Sequence, residues 1–120
     1  FVPASRPELF AKALASAADS VSFDLEDSVG LDQKVMARQT LAAALAGAEA
    51  SASAKILIVR INAPTSPHFA ADLDAVVHSR VDYLNLPKVE SAAEVAAACA
   101  AIAAVEKARG IARPIPLLVN

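Results

Sequence analysis

An α/β fold on a parallel β-sheet is what this sequence predicts, and three observations predict it. Short apolar runs of strand length alternate with alanine-rich runs of helical spacing along the whole chain. The run Ile56-Leu57-Ile58-Val59 is apolar at every position, as suits a strand covered on both faces. The length, 120 residues, allows one domain with a real core and not two.

Taken in order, Phe1-Val2-Pro3 reads as the tail of a first strand. Ser5 and Glu8 then have capping-box spacing, with Pro7 in the first turn where no amide donor is needed. Leu9, Phe10, Ala13, Leu14 and Ala17 follow as one apolar helical face. Ser20 to Leu25 reads as the second strand. Asp32 is expected to cap a helix to about Ala46, burying Leu41 and Leu45, with Gly47 at its end. Lys55 to Ile61 is the third strand. Ser66-Pro67 opens a helix to about Ser79 whose apolar set is Phe69, Leu73, Val76 and Val77. Val81 to Leu86 is the fourth strand. Ser91 and Glu94 repeat the capping-box spacing before a long helix to Arg109, terminated by Gly110. Pro114 and Pro116 precede a fifth strand, Leu117-Leu118-Val119.

Such a β-α repeat needs right-handed crossovers in a parallel sheet. An open doubly wound sheet and a (β/α)8 barrel both satisfy it. A dinucleotide-binding sheet would carry Gly-x-Gly-x-x-Gly after its first strand. Here the turn is Pro3-Ala4-Ser5-Arg6-Pro7, and the chain has only three glycines. That demotes a dinucleotide site and leaves both architectures open; on the TIM (β/α)8 barrel reading this chain supplies about the first five strands and four helices. A barrel takes roughly 200 residues or more, so residues 1–120 are expected to be the N-terminal part of one barrel domain. The missing initiator Met and the strand-end position of Asn120 fit that expectation.

Composition narrows the partners. A net charge of -2 leaves no basic surplus for phosphates, so neither nucleic acid nor an anionic membrane is expected as a partner. Cys99 is the single cysteine, so no disulfide can form within the chain. The alanine-rich run from Val95 to Val105 is too short and too weakly apolar to span a bilayer. A cytoplasmic domain is expected.

In parallel α/β folds the loops after the strands build the active site. After the second strand come Asp24-Leu25-Glu26-Asp27. Alternation turns Val21, Phe23 and Leu25 toward the helices and Ser22, Asp24 and Glu26 toward the barrel axis. Three carboxylates in four residues repel one another; a divalent cation, its waters or an arginine would relieve them. Alternatively Asp27 caps the loop and Asp24 pairs with a neighbour. The third strand ends in Arg60-Ile61-Asn62, with Ile56, Ile58, Arg60 and Asn62 on one face. Arg60 could clamp a substrate carboxylate or an enolate oxygen, or form an ion pair with Asp24 or Glu26; the two are not exclusive. Lys88, after Leu86-Pro87, could form a Schiff base, assist electrostatically or simply be solvated; nothing around it marks it as desolvated, so a simple charge is the default. His68 and His78 lack metal-ligand spacing and read as ordinary surface or loop histidines. Cys99 reads as a small packing residue, and Tyr83 as a filler of the strand-four interior or of a helix-facing gap.

Four segments together, Phe1-Val2-Pro3-Ala4-Ser5-Arg6-Pro7, Asp24-Leu25-Glu26-Asp27-Ser28-Val29, Val59-Arg60-Ile61-Asn62 and Leu86-Pro87-Lys88-Val89-Glu90-Ser91, resemble successive strand-end signatures of the CitE-like proteins in the HpcH/HpaI aldolase/citrate lyase family. Ala4 stands where glycine is common, and Ser28 where alanine is. The resemblance implies a (β/α)8 barrel, and a Mg2+-dependent carbon–carbon lyase acting through an enolate on a 3-hydroxyacyl-CoA such as citryl-, malyl- or citramalyl-CoA. It implies that Arg60 contacts the substrate's carboxylate or enolate oxygen, that Glu26 and Asp27 hold metal-bound waters, and that Lys88 lies near the substrate. The direct metal ligands it implies are a Glu at the end of strand five and an Asp after strand six, both outside this chain. It also implies homo-oligomers, and leaves open an acyl carrier protein in place of CoA. Two other readings stay open: a pyruvate-enolate aldolase acting on a hydroxy-keto acid, and a non-catalytic half-barrel used for binding or assembly.

Overall fold

In the computed structural model, which describes residues 1–120, five strands lie side by side in chain order. They are β1 (Val2–Pro3), β2 (Ser20–Asp24), β3 (Ile56–Arg60), β4 (Tyr83–Leu86) and β5 (Leu117–Val119). Every pairing is parallel. A doubly wound sheet reverses its strand order at a switch point; this one never does. The sheet is the opening arc of a (β/α)8 barrel, as the sequence predicts. No helix is long and apolar enough to cross a membrane.

The connections carry α1 (Phe10–Ala15), α2 (Lys34–Leu45), α3 (Ala48–Ala52), α4 (Phe69–Val76) and α5 (Ala92–Ala108). Their apolar faces meet one side of the sheet. Val21, Phe23 and Leu25 from the second strand region, Leu57, Val59 and Ile61 from the third, and Leu84 and Leu86 from β4 join Leu41, Leu73 and Ile102 in one buried cluster. Full burial of each such side chain stabilises by about 1.5–3 kcal/mol before entropy is counted. Phe10 meets Phe23 edge-on, with ring centroids 5.0 Å apart. The other side of the sheet carries Ser22, Asp24, Arg60, Tyr83 and Asn85 as the strands' alternate residues. Tyr83 thus faces the strand interior, one of the two places foreseen for it.

Several local expectations are corrected. There are five helices rather than four. Gly47 follows the C-cap of α2, as foreseen, its N–H bonding the Ala44 carbonyl at 3.1 Å, and it also opens α3 with an extended backbone at its N-cap. A Cβ there would meet the Ala44 carbonyl oxygen at 3.3 Å, so the close turn between the two helices suits glycine. The Ser5–Glu8 capping box does not form. Glu8 instead accepts from Arg6 Nε at 2.8 Å, and a 3-10 turn over Pro7–Leu9 leads into α1. Asp32 lies inside a 3-10 turn, Leu31–Gln33, and caps nothing. The helix foreseen from Ser66 to Ser79 shortens to α4. The strand foreseen from Val81 starts at Tyr83. The second capping box holds in part: Ser91 Oγ accepts the Glu94 N–H at 3.2 Å, while the Glu94 carboxylate accepts from the N–H of Glu90 at 2.9 Å.

Candidate active site

At the carboxyl ends of the strands, Asp24 is the centre of the acid cluster. Its side chain is 0% exposed. Oδ1 accepts the N–H of Glu26 at 2.9 Å. Oδ2 accepts the Ser28 N–H at 2.9 Å and the Ser28 hydroxyl at 2.5 Å. Asp24, not Asp27, therefore caps this loop. Arg60, its partner in the strand ladder, closes a two-pronged pair: Nε donates to Oδ1 and Nη2 to Oδ2, both at 2.8 Å. Burial pushes the Asp24 carboxyl up, but the bonds from Arg60, Ser28 and the two amides outweigh it and hold it well below the usual carboxylate range.

The same pair fixes Arg60. Its hydrogen bond to Asp24 raises its already high pKa, so its charge is permanent. The Phe1 ring lies over the guanidinium, 4.4 Å from Cζ. Glu26 Oε1 is 3.5 Å from Nε. Nη1 donates to no protein acceptor, and the side chain is 18% exposed. The ion-pair reading of Arg60 is thus present in the structure, and it leaves Nη1 without a protein partner.

Glu26 is nearly buried, and its Oε2 takes Lys88 Nζ at 2.7 Å. Lys88 also reaches Asp27 Oδ1 at 3.1 Å. Hydrogen bonds to Glu26 and then Asp27 push the Lys88 ammonium above its usual value. A Schiff-base lysine must present a free amine; here the ammonium is bonded to two carboxylates. Lys88 is the one non-glycine residue with positive φ, 56°. Strained backbone of this kind gathers at functional sites.

A second network, which sequence reasoning missed, lies under the loop. Lys34, the first residue of α2, is buried and uses all three donors: to the carbonyl of Leu25 at 2.8 Å, to that of Glu26 at 3.1 Å and to Asn62 Oδ1 at 2.9 Å. Asn62 Nδ2 donates to Leu25 O at 3.0 Å and to Asp72 Oδ2 at 2.6 Å, and Asp72 Oδ1 accepts from Arg38 at 3.3 Å. The alternation foreseen for β3 therefore stops before Asn62, which turns toward α2 and α4 instead of sharing the face of Arg60. Burial lowers the Lys34 pKa, and the nearby carboxylates of Asp72, Asp24 and Glu26 oppose that shift.

Glu26, Asp27, Lys88 and Lys34 line an open cavity of about 510 Å³ between the loops after β2 and β3. Ser66 and His68 form its far wall. His68 Nδ1 lies 3.5 Å from Arg38 Nη1, and His78 Nδ1 accepts the Arg80 N–H at 3.0 Å. Cys99 is exposed, which corrects its reading as a packing residue: Ala98 and Ile102 occupy the buried face of α5. No three His, Cys, Asp or Glu side chains converge as a metal-binding group.

The chain is similar to several known proteins. The chain is 41% identical over 118 residues to the L-malyl-CoA/beta-methylmalyl-CoA lyase of Cereibacter sphaeroides, covering 96% of this chain and 36% of that protein. It is 46% identical over 112 residues to a citrate lyase subunit beta-like protein of Mycobacterium tuberculosis, covering 92% and 38%. The CitE protein of M. tuberculosis, solved with magnesium, acetoacetate and coenzyme A, superposes with a TM-score of 0.71 at 36% identity, over 99% of this chain and 37% of that one. A citrate lyase of Burkholderia xenovorans gives 0.79 at 22% identity, a likeness of fold, over 93% and 37%. The chain thus spans a little over a third of the length of these curated relatives. The family model for HpcH/HpaI aldolase/citrate lyase matches residues 1–120, and with the strand-end motifs in place the chain belongs to that family.

Proposed function

We propose that the protein carrying this chain is a magnesium-dependent carbon–carbon lyase that cleaves or forms a 3-hydroxyacyl-CoA, of the malyl-, citryl- or citramalyl- type, through an enolate. Residues 1–120 then form the first part of a single (β/α)8 barrel. One observation carries the reading: Arg60 is locked by Asp24 through Nε and Nη2, with Glu26 3.5 Å from Nε and Lys88 bonded to Glu26, and Nη1 has no protein acceptor, at the strand ends where such barrels do chemistry.

Breaking a C–C bond beside a thioester leaves negative charge on an enolate oxygen. A guanidinium already aimed by Asp24 meets that charge without reorganising, which is how fixed donors accelerate a reaction. Phe1 shields the same guanidinium from water on one face. Lys88 adds a second permanent positive charge, suited to a substrate carboxylate. Magnesium, when bound, supplies Lewis-acid polarisation of the substrate's oxygens. The residues present fit a supporting part in its site. Glu26 already spends its oxygens on Lys88 and Arg60, whereas Asp27 is 64% exposed and bonded to Lys88 through one oxygen only, so contact through bound water suits both. CoA is the favoured carrier, because a malyl-CoA lyase and a CoA-bound CitE are among the relatives. Homo-oligomers, an acyl carrier protein as alternative carrier, and a cytoplasmic setting, where CoA esters are used, complete the reading.

The first test is the intact mass of the native protein. A mass more than twice the 12.3 kDa of these residues is expected, and 12.3 kDa itself would sink the lyase assignment. The purified enzyme should then cleave one of the three thioesters with Mg2+ and stop on chelation. Arg60→Met should lower kcat/KM by about 100-fold or more; wild-type-like turnover would remove Arg60 from the site.

A further inference from the structure

We infer that Lys34 is a positioning residue that sets the direction of the Glu26–Asp27 acid pair, acting through the backbone carbonyls of Leu25 and Glu26; this rests on the lyase reading above. In an extended strand successive carbonyls point to opposite sides. Here two successive carbonyls converge on one ammonium, at 2.8 and 3.1 Å. The chain must therefore break from the strand between Leu25 and Glu26. That break turns the Glu26 side chain onto Lys88 and Arg60, and sends Asp27 out to the rim.

The ammonium is held where it is needed. Its third bond goes to Asn62, which is itself fixed by Asp72, and Asp72 by Arg38. All three Lys34 donors are satisfied, and no solvent group competes, because the residue is 6% exposed. A neutral side chain of the same length would leave the Asn62 amide oxygen buried without a donor and take one of two donors from each carbonyl, Leu25 keeping Asn62 Nδ2 and Glu26 keeping the Val29 N–H. The loop would rotate to find other partners, and the acid pair would move with it. Lys34 bonds to none of the four groups Arg60, Glu26 carboxylate, Asp27 carboxylate and Lys88, so its hydrogen bonds reach them only through the backbone, beside the through-space pull of its charge on Glu26.

Lys34→Met in the native protein separates this from a role in stability alone. Two readouts are taken on the folded variant: the backbone amide resonances, and steady-state cleavage of the thioester. Shifts confined to Glu26, Asp27, Ser28 and Lys88, with a kcat lowered roughly 10- to 100-fold and little change in KM, are expected. In Lys34→Ala, propylammonium entering from the adjoining cavity should restore part of kcat, and tetramethylammonium, which has no N–H, should not. Unshifted amides at Glu26–Ser28, or a folded variant with unchanged kcat, would overturn the inference. Should Lys34→Met fail to fold, Lys34→Gln keeps two donors and should shift the same amides. If the wild type cleaves none of the thioesters, the lyase reading fails, while the amide shifts still decide whether Lys34 aims the loop.

Discussion

A fully buried carboxylate that answers to one arginine, one hydroxyl and two amides makes Asp24 the most consequential single residue of the molecule. Removing one partner of a buried pair costs about 3–5 kcal/mol, because the other charge stays buried without compensation. Asp24→Asn should therefore lower unfolding stability by about 3 kcal/mol in a urea titration. The pH sign follows from the depressed pKa. In the unfolded chain an Asp titrates near about 3.9. The stabilisation is thus complete above that pH and fades as pH falls below it toward the folded-state value. Between pH 5 and pH 2 the wild type should lose stability more steeply than Asp24→Asn, and equal slopes would refute the linkage. Asp24 and Arg60 were legible in the sequence because two-residue alternation put them on one face of adjacent strands, whereas Glu26 lies past the strand end and is aimed by the turn. Lys34 and Asp72 were not. Each looked like an ordinary charged residue on a helix, and what distinguishes them is the set of partners brought up from β2 and the β3 loop, which no local pattern encodes.

Among the elements, those with an unshared local signal were read correctly and those whose ends depend on tertiary contacts were not. Ser91 precedes a long alanine-rich run, so nothing competes for its hydroxyl, and it caps α5. Ser5 precedes Arg6, which takes Glu8 for itself, and the foreseen cap dissolves into a 3-10 turn. Ser91→Ala should destabilise by about 1 kcal/mol. At the other end of α5, Gly110 adopts φ 67° with nothing within 4 Å of an added Cβ. Gly110→Ala should then cost about 1–2 kcal/mol from backbone conformation alone, and Gly110→Asn less. Thermal unfolding of the three variants checks both ends of the helix; an unchanged Ser91→Ala midpoint would discard the cap.

Across the whole molecule, Pro3, Asp24, Arg60, Asn85 and Leu118 fall on one rung of the ladder. The chain order of the strands was legible because no sequence signal called for a switch point, while the rung itself was hidden, since register is settled only when strands pair. An alanine inserted between Val59 and Arg60 would send the guanidinium into the apolar layer, where a lone charge costs several kcal/mol. The same insertion between exposed Ala112 and Arg113 should change stability by less than about 1 kcal/mol. Urea midpoints of the two insertions measure the contrast, and similar losses would show that the rung is not fixed. Inheritance is constrained in the same way: lineages can lengthen or shorten the segments that lead into the strands, but a single-codon insertion or deletion within β2 or β3 exchanges the inside of the sheet for its outside, so drift in length should accumulate only at the amino ends of this arc.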